Sequence, residues 1–64
     1  MKLVVDRKDR QLGYLYLSKH PGEGRHGVIK KTIDLSSVLG EYVGADIHLH
    51  FDEANQLIGI EIME

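Results

Sequence analysis

Two histidines on one strand-like segment have the residue type and spacing that come nearest to metal chemistry. His48 and His50 lie two positions apart in a run that alternates polar and apolar residues, so both imidazoles should face one side of a strand. With a third ligand such as His20, His26 or Asp52 they could hold zinc. A zinc site needs three or four ligands, and the spacing places only two. The pattern therefore favours polar residues on a solvated face, and we predict no metal and no cofactor.

No group of residues forms a recognisable catalytic arrangement. Ser36 and Ser37 lack the glycine pattern of a nucleophile elbow, and nothing in the sequence places a His–Asp pair beside them. Residues 22–27 match G-x-G-x-x-G, but a predicted strand follows the motif where a dinucleotide site needs a helix. The chain has no cysteine, which excludes disulfides, thiolate ligands and cysteine nucleophiles. We predict that the domain is not an enzyme.

Tyr14 and Tyr16 should share one face of a strand, with Leu15 and Leu17 on the other. A basic, aromatic sheet face of this kind can bind single-stranded nucleic acid. Residues 1–31 hold all eight Lys and Arg with three acids, whereas residues 32–64 hold seven acids and no Lys or Arg. The net charge of −2 argues against a polyanionic partner. The simpler expectation is that the two halves are neighbours in one sheet.

Alternation with period two predicts a mainly β domain, a single antiparallel sheet made of hairpins. The 64 residues leave room for one domain, spanning 1–64. At most one short helix is expected, within residues 36–44, where Asp34 or Ser36 could cap it and Gly44 could end it; a loop is the alternative. Residues 19–27, rich in glycine, should form an exposed hairpin loop. The expected strands are 2–6, 13–18, 28–35, 46–52 and 57–63, with the third at a sheet edge.

The apolar positions of these strands predict the core. Small domains bury a limited fraction of their surface, so a core of this size is marginal without help from disulfides, metals or association. The residues expected to be buried are Leu3, Val5, Leu15, Leu17, Ile29, Ile33, Ile47, Leu49, Phe51, Ile58, Ile60 and Ile62.

The C-terminal half resembles the prokaryotic domain-of-unknown-function family 2283. The resemblance rests on the strand 46–52, a turn, and the ending Leu-Ile-Gly-Ile-Glu-Ile at 57–62; residues 13–18 and 31–35 look like two earlier strands of that family. This sequence has Asn55-Gln56 where the family has a turn glycine, and residues 36–44 look like an insertion. The resemblance implies a compact β fold and no established activity.

Taken together, the sequence predicts a small non-enzymatic interaction module that self-associates as a homodimer or binds a protein partner, in an antitoxin-like role for example. Several strands carry apolar residues on both faces, which predicts an interface at Tyr14, Tyr16, Leu57 and Met63. The alternative is ligand or nucleic-acid binding through the Tyr14/Tyr16 face or the 19–27 loop. No apolar stretch approaches the ~20 residues of a membrane span, and the expected location is the cytoplasm.

Overall fold

One antiparallel sheet of five strands and a single short helix make up the computed structural model, which describes residues 1–6, 12–22 and 27–64. This confirms the predicted fold class. No helix in the described part of the chain is long and apolar enough to span a bilayer. The elements are β1 (Lys2–Asp6), β2 (Leu12–Tyr16), β3 (Lys31–Asp34), α1 (Leu35–Leu39), β4 (Asp46–Phe51) and β5 (Leu57–Met63).

The strand order across the sheet is β1-β2-β5-β4-β3. Both predicted hairpins, β1–β2 and β4–β5, are present, and they join through antiparallel pairing of β2 with β5. The segment 19–27 is not a hairpin loop as expected, because β5 and β4 lie between β2 and β3. Four of its residues, 23–26, lie outside the described residues. Because β2 of the basic half pairs with β5 of the acidic half, the two halves are neighbours in one sheet, as expected. Strand β3 is an edge strand, as predicted.

The register assigns each alternating residue to one of two faces. Directly opposite residues of an antiparallel pair point to the same side, so the pairings can be followed across the whole sheet. The apolar face carries Leu3, Val5, Leu15, Ile33, Ile47, Leu49, Ile60 and Ile62. The polar face carries Val4, Tyr14, Tyr16, Thr32, Asp34, His48, His50, Glu61 and Met63.

Strand β3 begins at Lys31 and ends at Asp34, so it is shorter than the predicted 28–35 at both ends. It ends at Asp34 because this residue caps a helix. Its Oδ1 accepts a hydrogen bond from the Ser36 backbone N–H at 3.0 Å and another from the Ser36 hydroxyl at 2.9 Å. This N-cap satisfies a donor of the first helical turn. The helix ends at Leu39, not at the expected Gly44, because Gly40 adopts a positive φ of 83°.

The turn between β4 and β5 explains the Asn55-Gln56 departure from the family pattern. Asn55 has φ 63°, a left-handed conformation that glycine usually supplies and that asparagine tolerates. The Asp52 carboxylate accepts a hydrogen bond from the Gln56 backbone N–H at 2.9 Å and fixes the turn. The pairing of β4 with β5 shifts register between His50 and Phe51, next to the start of β5.

The predicted core is largely uncovered. Ile58 is the only buried apolar residue among those described. Leu3, Val5 and Ile29 are exposed by 60%, 47% and 40%, so their predicted burial is wrong. The remaining predicted core residues, Leu15, Leu17, Ile33, Ile47, Leu49, Phe51, Ile60 and Ile62, are half-buried. The reason is that α1 spans five residues and leaves its own Val38 and Leu39 exposed, so it adds no second layer.

We expect Ile58→Ala to lower the free energy of unfolding by about 2–5 kcal/mol, because it opens a cavity at the one fully buried apolar position among the described residues. Val43→Ala is the control, since Val43 is fully exposed and its truncation should change stability by less than about 0.5 kcal/mol. Urea unfolding followed by circular dichroism measures both. Equal midpoints for the two variants would contradict the burial pattern.

Candidate functional site

Four aromatic rings meet on the polar face and form its centre, which we call the tyrosine–histidine cluster: Tyr14, Tyr16, His20 and His50. Period-two spacing brings the Tyr14 and Tyr16 ring centroids to 4.6 Å. His20, from the segment after β2, stands edge-on to Tyr16 at 4.6 Å and to Tyr14 at 5.9 Å. His50 of β4 lies 5.4 Å from Tyr14 across the intervening β5. The cluster therefore ties the two hairpins and the segment after β2 together.

A hydrogen bond joins the two central members of the cluster. The Tyr14 hydroxyl lies 2.8 Å from Nδ1 of His50, which is only 8% exposed. Burial lowers the pKa of His50, against the opposing effect of Glu61. Burial, with Tyr16 and Glu61, raises the pKa of Tyr14. Burial therefore favours the neutral form of both groups, and the Tyr14 hydroxyl and His50 Nδ1 share one hydrogen bond.

Gly59 leaves the space that the Tyr14 ring occupies. A Cβ built at Gly59 would overlap the Tyr14 hydroxyl and lie 2.6 Å from ring carbon Cζ. Real Cβ atoms essentially never come so close to another atom. The ring of Tyr14 therefore crosses the β5 backbone at this glycine to reach His50. A glycine inside a strand often marks such a close approach.

His48 faces two carboxylates, one on each neighbouring strand. Its Nε2 lies 3.7 Å from Asp34 and its Nδ1 lies 3.3 Å from Glu61. Hydrogen bonds from the Ser36 backbone N–H and then its hydroxyl hold the pKa of Asp34 below its ordinary value. Within the described ranges no group of three His, Asp or Glu side chains is placed to hold a metal ion. The nitrogens of His48 and Nδ1 of His50 have other partners.

The four predicted interface residues do not form one patch. Tyr14 and Tyr16 belong to the tyrosine–histidine cluster, and Met63 lies on the same face, opposite Asp46 at the far end of β5. Leu57 lies at the irregular start of β5 across from Phe51 and is 36% exposed.

The described part of the 19–27 loop lines an open groove of about 650 Å³ beside the β4–β5 turn. Lys19 and Lys30 stand there together with Asp52 and Glu53. Because both signs of charge line the groove, it has no single-sign field to attract a charged ligand.

Sequence reasoning did not identify Gly59, Glu61 or Asp34 as parts of this site. Glu61 and Asp34 contact His48 only because β5 and β3 both flank β4. Gly59 carried a usable signal, since an isolated glycine in an apolar strand indicates close approach of another group. His20 was considered only as a third metal ligand, and its edge-on contact with the tyrosines has no signature in the sequence.

A comparison with family models matches residues 9–64 to the family described as "Protein of unknown function (DUF2283)". The match covers most of the chain, and the chain belongs to this family. This confirms the resemblance seen in its C-terminal half. No curated protein matches the chain. No solved structure matches it either.

We expect Gly59→Ala to destabilise the domain by about 1–3 kcal/mol, because the new methyl group must displace the Tyr14 ring from β5. Gly13→Ala is the matched control on β2, where a Cβ would lie 3.9 Å from the Ile62 Cβ in ordinary contact. Adding Tyr14→Ala to Gly59→Ala should recover part of the loss. Chemical unfolding measures all of these, and strictly additive effects would contradict the crossing.

We expect stability to fall as the pH is lowered from 7.5 to 5.5. An unfolded histidine takes up a proton near its usual pKa of 6.5, whereas burial lowers the pKa of His50 in the folded state. The unfolded state therefore binds more protons below about 6.5, and stability is lost until the pH falls through the folded pKa.

The urea midpoints of wild type and His50→Gln at the two pH values test this expectation. The variant removes the titrating group, so its midpoint should depend less on pH. His48→Gln, two positions along the same strand, retains His50 and should keep the acid-side loss. An unchanged pH dependence in His50→Gln would contradict the assignment.

Proposed function

We propose that this domain is a non-enzymatic self-association module and that a second copy covers the apolar face of its sheet. The observation that carries the proposal is the near absence of a core: Ile58 alone is a buried apolar residue within the described ranges. An exposed apolar sheet face of this extent is typical of an interface. Packing it against an identical face makes a two-layer sandwich, the usual way to bury such a surface.

The size of the face supports a second copy of the chain as its occupant. The molecule measures 31 × 29 × 18 Å along its principal axes, so one broad face spans on the order of 900 Å². Stable dimers bury about 800 Å² per partner. A two-fold axis lying between the sheets would bring the same residues together from both copies and leave no apolar face exposed.

On the polar face, the side chains contact one another within the chain. The tyrosine–histidine cluster contacts itself, and His48 sits between Asp34 and Glu61. We therefore propose the contact on the apolar face. The interface expected from the sequence consisted of Tyr14, Tyr16, Leu57 and Met63. That earlier assignment stays a prediction, and the variants below discriminate between the two faces.

A different protein on the same apolar face is the runner-up, and an antitoxin-like role would be one form of it. In that case the isolated chain would remain a monomer and expose the face to a partner. A cytoplasmic location stays a prediction from the sequence.

We expect Ile33→Glu to raise the dissociation constant of the dimer by roughly a hundredfold, because it buries an unpaired carboxylate in the contact. The measurement is molecular mass by sedimentation or light scattering at micromolar concentration. Thr32→Glu is the matched control, since it adds the same charge at the next position of β3 on the polar face. Circular dichroism establishes that each variant is folded.

Three outcomes would contradict the proposal in different ways. A wild-type monomer removes self-association and favours the runner-up. A dimer lost with Thr32→Glu but kept with Ile33→Glu places the interface on the polar face. A dimer that dissociates fully in high salt makes ionic contacts, and not apolar burial, the main source of affinity.

A further inference from the structure

The short helix α1 leaves its apolar side chains exposed. Val38 and Leu39 are 67% and 65% exposed, and no residue of the helix is buried. Its polar side chains, in contrast, are bonded within the chain. The Ser36 hydroxyl donates to the Asp34 carboxylate at 2.9 Å, and the Ser37 hydroxyl donates to the Asp34 carbonyl oxygen at 2.6 Å. The helix is therefore fixed in place by its own hydrogen bonds while it presents apolar groups outward.

The apolar face of the sheet has a hollow at Gly13 of β2, which we call the Gly13 hollow. Gly13 pairs with Val5 on one side and with Ile62 on the other, so the three positions form one row of that face. The middle position of the row has no side chain. A Cβ built at Gly13 would lie 3.9 Å from the Ile62 Cβ and 3.9 Å from the Val4 carbonyl oxygen, the nearest described atoms outside its chain neighbours. Because Val5 is also 47% exposed, the hollow has room for a side chain from a second layer.

The helix does not reach this hollow in its own chain. In the sheet order β1-β2-β5-β4-β3, α1 contacts β3 and β4 and no other described element. Neighbouring strands lie about 4.8 Å apart, so the edge strands β1 and β3 are separated by roughly 19 Å. The exposed side chains of α1 and the Gly13 hollow therefore lie on opposite sides of the same sheet.

We propose that α1 of each copy packs its Val38 and Leu39 into the Gly13 hollow of a second copy. This inference rests on the proposed self-association through the apolar face, and it adds the orientation of the two sheets. A two-fold axis between the sheets that runs along the central strand β5 sets β1 of one copy over β3 of the other, and β2 over β4. The same axis carries α1 to the β1–β2 side of the second copy.

The strand register places the helix and the hollow at the same level along the strands. Asp34, where α1 begins, pairs with His48 of β4. The same row continues through Glu61 of β5 to Tyr14 of β2. Gly13 is the next position beyond this row, in the direction in which β3 runs into α1. An axis along the strands keeps this level unchanged, so it sets α1 over Gly13 and not over the far end of β2.

A two-fold axis that runs across the strands gives a poorer fit. It would set each strand over its own counterpart with the ends exchanged, so α1 would face the end of β3 and β4 where Lys31 pairs with Phe51. The Lys31 side chain belongs to the apolar face, since it alternates in step with Ile33, and its ammonium lies 4.5 Å from the Phe51 ring centre. Apolar side chains of α1 would then cover a charged group, which is unfavourable.

Cross-linking of single cysteines tests the orientation in a chain that has no cysteine of its own. Val5→Cys puts a thiol beside the Gly13 hollow, and Leu39→Cys puts one on α1. In the proposed dimer two thiols of the same variant stand at opposite edges, whereas one thiol of each variant meet. After the copies have exchanged in an equimolar mixture, we expect a short bis-maleimide to link them about tenfold faster than it links either variant alone, because only the mixed pair is held close.

The other outcomes separate this inference from the proposed function. A wild-type monomer defeats the self-association and this inference with it. A wild-type dimer whose mixed variants link no faster than the single variants overturns the position of α1 and leaves the self-association standing. Leu3→Cys that links to itself faster than the mixture links would set the axis across the strands, which also overturns the position of α1.

Filling the Gly13 hollow tests the contact without a cross-linker. Gly13→Val should raise the dissociation constant of the dimer about tenfold, because the new side chain occupies the space that α1 needs. Valine suits a strand, and circular dichroism establishes that the variant is folded. Thr32→Val, exposed on the polar face of β3, is the matched control and should change the constant by less than about twofold. A dimer that is unchanged or tighter in Gly13→Val would overturn the inference, since added apolar area would then strengthen the face.

Discussion

Most of this structure depends on one constraint: among the described residues, no second layer of structure covers the apolar face of the sheet. The five strands lie in one sheet, and the helix spans five residues with its own apolar side chains exposed. Ile58 is buried, while the neighbouring isoleucines and leucines are only half-buried. Apolar burial is the main favourable term in folding, so a chain that leaves this face open is marginal alone. The proposed association would supply the missing layer.

The polar face shows the opposite arrangement, in which the chain provides its own partners. The Tyr14 ring crosses β5 at Gly59 and its hydroxyl reaches His50 on β4, so one side chain links three adjacent strands. His20 then packs edge-on against both tyrosines. This packing stabilises the junction of the two hairpins, which otherwise rests on the pairing of β2 with β5. One consequence is that His50 is buried, and burial disfavours its protonation.

Local pattern was enough to predict the strands and their faces. Period-two alternation identified the bounds of β1, β4 and β5 within one residue at each end. It also assigned Tyr14 and Leu15 to opposite faces of the sheet, and likewise His50 and Leu49. Short polar turns identified the two hairpins, because neighbouring strands joined by a tight turn have little choice of partner. The family ending at 57–62 reinforced the same elements.

Only the tertiary structure decided which strands from different hairpins become neighbours and how much of each side chain is covered. The pairing of β2 with β5 joins residues far apart in sequence, and no local spacing encodes it. Everything at the centre of the site depends on that pairing: the Tyr14–His50 bond, the need for glycine at 59 and the position of Glu61. Burial was mispredicted at Leu3, Val5 and Ile29 for a related reason. Alternation determines the direction of a side chain within a strand, but whether another layer lies in that direction depends on the rest of the fold or on a second chain.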